Sequence, residues 1–130
     1  MKLLYFFLVV CCLACGCNKP IFDYRLKYVG EYTVRSINSH WVMGQPVYLD
    51  TTFYQLSVRR SENRYFIDFI NQNNVTSYLM ETDGTLHYDS GDPHYYVSGS
   101  FLDKNHFKLQ GGYYFLGGGS TFNTDGTKQK

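Results

Sequence analysis

The sequence predicts an all-β fold: an antiparallel meander of seven to eight strands, closed or nearly closed into a small barrel. Three observations point there. From Tyr28 onward, apolar and polar residues alternate with a period of two, the pattern of strands with one buried face. Short clusters of Gly, Asn, Asp, Ser and Pro recur between these stretches, and connections that short join antiparallel neighbours. Aromatic residues make up 18% of the chain, with 13 Tyr and 10 Phe, and flat rings pack well on a pleated, half-buried surface.

The elements follow in order. "YVGEYTVRSI" (28–37) puts Tyr28, Gly30, Tyr32 and Val34 on one face and Glu31, Thr33 and Arg35 on the other. The stretch 38–50 breaks the rhythm and reads as a long loop, with a short strand at 47–49. In "TFYQLSVRR" (52–60), Tyr54, Leu56 and Val58 share a face; in "RYFIDFIN" (64–71), Tyr65, Ile67 and Phe69 do. "VTSYLMET" (75–82), the short "TLHY" (85–88), "YYVSGSFL" (95–102), "HFKLQG" (106–111) and "YYFL" (113–116) complete the meander. Asp83-Gly84 and Asp103-Lys104-Asn105 read as tight hairpin turns. The Gly-rich stretch 117–130 reads as a flexible tail. Closure of so many short strands removes the edges that would template aggregation.

The first part of the chain is different. Lys2, the apolar run "LLYFFLVVCCLA" and the small residues after it follow the order of a signal peptide. The run is too short for a transmembrane helix, which needs about 20 residues. All four cysteines, Cys11, Cys12, Cys15 and Cys17, lie here, so residues 18–130 contain no thiol and no disulfide. Cys12-x-x-Cys15 has metal spacing but lacks a second ligand pair. "LACGC" (13–17) resembles the lipobox of bacterial lipoproteins. That resemblance makes Cys17, in preference to Cys15, the lipid-bearing first residue of the mature chain, with Leu13, Ala14 and Gly16 as the small or aliphatic positions before it. It implies an N-terminal signal peptide over 1–16, a lipidated Cys17 and short tether over 17–27, and a barrel domain over 28–130. It also implies anchorage to a membrane in the envelope of a Gram-negative bacterium. Asn18, standing where Asp would favour retention at the inner membrane, points to the outer membrane.

Function is less legible. Formal net charge is +1, and removing residues 1–16 takes away only Lys2, leaving 11 basic and 11 acidic residues. A neutral domain lacks the footprint of a nucleic-acid binder. No Gly-x-Ser-x-Gly elbow or free mature thiol supplies a nucleophile, so the reading is non-enzymatic, with no cofactor implied. "YVGEY" is similar to the Gly-x-aromatic start of lipocalin-like small barrels, with Tyr32 where these usually carry Trp. This implies a ligand cup and makes Tyr32 a candidate ligand-binding residue. Trp41, the only indole, and Phe66, on the face opposite Tyr65 and Phe69, are further candidates for stacking on a small molecule, a glycan or a protein partner. His87, Asp89, Asp92 and His94 carry metal-ligand chemistry in "HYDSGDPH", although the same residues are turn formers. The alternative function is inhibition of a periplasmic enzyme: "YVSGSF" (96–101) resembles the Ser-Gly segment of small β-barrel lipoproteins that block lysozyme. A transmembrane barrel is disfavoured, because it needs strands of about 9–11 residues and several here are shorter.

Overall fold

The computed structural model describes residues 23–130. The expected signal peptide (1–16), the expected lipid-bearing Cys17 and the first part of the expected tether lie outside the described residues. A short 3-10 helix (Tyr24–Tyr28) precedes eight strands: β1 (Gly30–Val42), β2 (Tyr48–Arg60), β3 (Phe66–Asn71), β4 (Asn74–Met80), β5 (Thr85–Tyr88), β6 (Tyr95–Asp103), β7 (His106–Phe115) and β8 (Gly118–Lys128). Each pairs antiparallel with the next, and β8 returns to β1, closing the barrel.

The alternation works as expected in the lower half, the end at which the chain enters. Tyr32 and Val34 from β1, Leu56 and Val58 from β2, Ile67 and Phe69 from β3, and Phe101 and Phe107 from β6 and β7 all point inward and are buried. Phe69 meets Tyr78, Phe101 and Phe107 edge-on at 4.9, 6.0 and 5.0 Å, a geometry the ring quadrupoles favour. The outer face of this half carries exposed pairs such as Glu31–Arg59 and Lys108–Asp125. An apolar inside and a charged outside are the reverse of a transmembrane barrel.

Three expectations need correction. Residues 38–50 are mostly strand, not loop: β1 continues to Val42, β2 starts at Tyr48, and only a tight turn lies between. Their pattern failed because both faces of this stretch are largely exposed, so nothing imposes alternation. The tail is also strand. β8 pairs with both β1 and β7 along its whole length. Its small residues are complements to large neighbours: a Cβ on Gly126 would sit 2.0 Å from the Phe107 ring. β8 is thus specified by what packs on it, not by its own hydrophobicity. Lastly, the later part of the expected tether belongs to the domain.

The 3-10 helix closes the lower end. Tyr28 stacks on Phe101 at 4.2 Å, and the Tyr24 hydroxyl donates to the Met80 carbonyl at 2.7 Å. Arg25 is buried, and its guanidinium donates to the carbonyls of Asn63 (2.7 Å) and Phe66 (2.6 Å) while pairing with Asp23 at 2.8 Å. It ties the β2–β3 turn to the plug, adding a second donor to two carbonyls that already accept backbone N–H groups within the turn, from Phe66 and Ser61. The hydrogen bond from Arg25 holds the Asp23 carboxyl down at about 2. Since folding lowers that pKa, ionised Asp23 adds stability that is complete above about pH 4 and fades as the pH falls towards 2. Urea melts of the wild type are expected to lose on the order of 1–2 kcal/mol from this source between pH 5 and pH 2. Asp23→Asn is less stable at pH 5 and lacks this component of the acid sensitivity.

Candidate functional site

The strands are unequal. β1 and β2 have 13 residues each, whereas β3, β4 and β5 have 6, 7 and 4. β1 and β2 pair over eleven positions, but β2 and β3 over four and β4 and β5 over two. The barrel is therefore low on one side and tall on the other. On the tall side, β2, β1, β8 and β7 rise above the ring as a four-stranded wall.

Inside, the ring is filled from below and leaves a cavity of about 200 Å³ at its upper end. Leu56, Phe69, Phe107 and Leu109 form its floor; Tyr54, Asn71, Asn74, Thr76 and Thr124 give it a polar rim. Burial raises the pKa of Tyr54, Tyr78 and Tyr95, so these rings present neutral hydroxyls. The volume is below the roughly 300–1,000 Å³ of sites for drug-sized ligands.

The wall carries a different surface. On its outer face, Trp41 of β1 lies across Gly119 of β8 and reaches Tyr114 of β7, with ring centres 5.7 Å apart. Tyr114 stacks in turn on Tyr96 of β6, at 5.7 Å and 7° between planes, and the two hydroxyls are 3.2 Å apart. That hydrogen bond raises the pKa of Tyr96. Three rings thus form a row across four strands, and Tyr96 and Tyr114 are each 43% exposed. The arrangement needs Gly119: a Cβ there would come within 2.5 Å of the indole. Around the row, Val42, Met43, Phe115 and Leu116 are also exposed.

The sequence candidates separate. Trp41 sits in this row. Tyr32 does not face a ligand space: it is fully buried, and its hydroxyl donates to the Tyr28 carbonyl at 2.7 Å. Phe66 is half-buried and lines a shallow outer groove with Leu79, His87 and Asp89. The four proposed metal ligands do not converge. His87 pairs with Glu81 at 2.8 Å, the Asp89 carboxylate accepts from the Gly91 N–H at 2.8 Å, and that of Asp92 accepts from the His94 N–H at 2.8 Å. The acids are used up in turning the chain, and among the described residues no three His, Cys, Asp or Glu side chains gather as a metal site. Cys17 lies outside the described residues. Tyr96 and Tyr114 were not singled out, although the doublets Tyr95-Tyr96 and Tyr113-Tyr114 place one ring of each pair outward.

Comparison with known proteins adds to the fold alone. The solved structure of a redesigned β-barrel is similar to this chain, with a TM-score of 0.53 at 15% sequence identity, covering 86% of this chain and all of that one. No family model matches the sequence, and no curated protein matches it.

The single tryptophan makes the row measurable. Gly119→Val is expected to push the indole off the sheet and shift its fluorescence emission to the red, with less energy transfer from tyrosine. An unchanged spectrum in the folded variant would mean that Trp41 does not rest on Gly119.

Proposed function

We propose that this protein is a non-enzymatic binding module, anchored to the outer membrane of a Gram-negative cell by a lipid on Cys17, that engages a protein partner through the row Trp41–Tyr114–Tyr96. The observation that carries this reading is the position of the row. The described chain begins at the lower end, beside the 3-10 helix, and the rings lie at the opposite end on the outer face of the tall wall. A lipid before residue 23 would therefore leave the row pointing away from the bilayer. Tyr and Trp suit such a contact, because they offer large area with few rotatable bonds and a polar tip. The small cavity favours a protein over an enclosed small molecule. The inhibitor alternative loses its projecting element, since residues 96–101 run inside β6.

Two measurements test the proposal. Intact mass of protein taken from cells should show residues 1–16 removed and a diacylglyceryl group on Cys17, and Cys17→Ser should leave the membrane fraction. A photo-crosslinking residue at position 96 should capture a protein adduct that Trp41→Ala and Tyr114→Ala reduce by about tenfold. The same probe at position 65, at the lower end, should capture none. Equal adducts at both positions, or none at 96, would remove the row from the account.

A further inference from the structure

The tall wall has one long unpaired margin. β2 pairs with β1 from Tyr48 to Val58 but with β3 only through Ser57–Arg60. The hydrogen-bond phase fixes which groups face outward. Ser61 N–H donates towards β3, to the Phe66 carbonyl, while the Glu31 carbonyl of β1 accepts from Gln129 beside β8. Odd-numbered residues of β1 thus face β8, and even-numbered residues of β1 and β2 face each other. Leu49, Thr51, Phe53 and Gln55 therefore turn their N–H and C=O groups away from β1. Among the described residues no strand and no backbone hydrogen bond meets them. The margin is roughly 25 Å long at the usual rise per residue. It contains one charge, Asp50, and none of the Pro, Lys or bulge devices that keep free edges apart.

We propose that this margin pairs with the same margin of a second copy, two β2 strands lying antiparallel about a two-fold axis at Thr51. The sequence of the edge is self-complementary in that register. Thr51 faces Thr51, a hydrogen-bonded pair that exchanges both N–H···O bonds. On the outer face Leu49 of each copy lies opposite Phe53 of the other, and these side chains are 66% and 71% exposed in the single chain. On the inner face Tyr48 lies opposite Tyr54. Asp50 falls opposite Thr52, so the only charge on the margin meets a hydroxyl and not its own copy. Cross-strand pairs of these types stabilise sheets, whereas like charges directly opposed do not.

The pairing uses β2 alone and leaves the row on β1, β7 and β6 free, so it stands or falls separately from the proposed partner contact. It sends the 3-10 helices of the two copies to opposite poles. Two copies anchored before residue 23 and joined this way would stand on facing membrane surfaces, not side by side on one.

The test is sedimentation of the full chain in detergent under reducing conditions. The wild type is expected to be a dimer that dissociates on dilution. Thr51→Pro removes an N–H that β1 does not use, so the single chain should fold as before. Thr51→Lys places two ammonium groups face to face. Each should raise the dissociation constant by about tenfold or more, with an unchanged circular dichroism spectrum. Leu49→Lys and Phe53→Glu should each weaken the dimer, and the double variant should recover it, because the new charges face each other only across the axis. Within one copy they lie about 13 Å apart along the strand. A wild type that stays monomeric, a dimer that Thr51→Pro and Thr51→Lys leave intact, or a double variant no better than the singles would overturn the proposal. So would capture of this margin by a strand of another protein in place of a second copy. Loss of the crosslink at position 96 would leave this result untouched.

Discussion

Eight strands share one ring, and the pairing of β8 with both β1 and β7 is what lets the ring close at all. Those pairings are long, eleven positions with β1 and ten with β7, while the seams on the other side are short. A closed barrel forces neighbouring strands to share register at one level but does not force them to share length. Where the long strands outrun the short ones, the sheet continues with one face that no longer sees a core. The wall, its aromatic row and its open margin all follow from that mismatch.

The two ends of the barrel do different physical work. The lower end is sealed by burial and by hydrogen bonds to Arg25, a charge kept inside because Asp23 and two turn carbonyls meet it. Removing one partner of such a group costs far more than the pair contributes against water. The upper end has no comparable seal. Its interior narrows to a small polar-rimmed cavity, and its apolar rings lie outside the barrel, where they cannot contribute to the core. Exposed apolar surface of this kind marks an interaction face more often than a packing error. The contrast between a satisfied end and an unsatisfied one agrees with the proposal that recognition lies at the top.

Much of the lower half was legible in the sequence. Alternation in 28–37, 52–60 and 64–71 identified Val34, Leu56, Val58, Ile67 and Phe69 as inward residues, and the turn at Asp83-Gly84 was correctly placed. The failures have physical causes. Arg25 could not be read as a buried residue, because only the folded turn supplies its carbonyl partners. Gly118 to Lys128 reads as a tail because its small residues make sense only against Phe107 inside the barrel and Trp41 on its outer face. Tyr32 matches a ligand-cup motif yet serves as core, its ring tilted against those of Phe101 and Phe107. Of the site, Trp41 was found by its rarity. The doublets Tyr95-Tyr96 and Tyr113-Tyr114 imply outward rings, but their assembly into a row and the β2 margin are not legible, because a row across four strands and an edge set by unequal lengths are properties of pairing, not of any one segment.

The central claim is that β2 stands as ordered sheet with one side paired and the other open. Residue-resolved amide hydrogen exchange of the dilute, monomeric chain tests it most directly. The account predicts alternation along 48–54: protected amides at Tyr48, Asp50, Thr52 and Tyr54, which face β1, and fast exchange at Leu49, Thr51 and Phe53, which face solvent. Uniformly fast exchange would show that the wall frays. Uniform protection in the monomer would show that another part of the chain covers the edge. Either result contradicts the account.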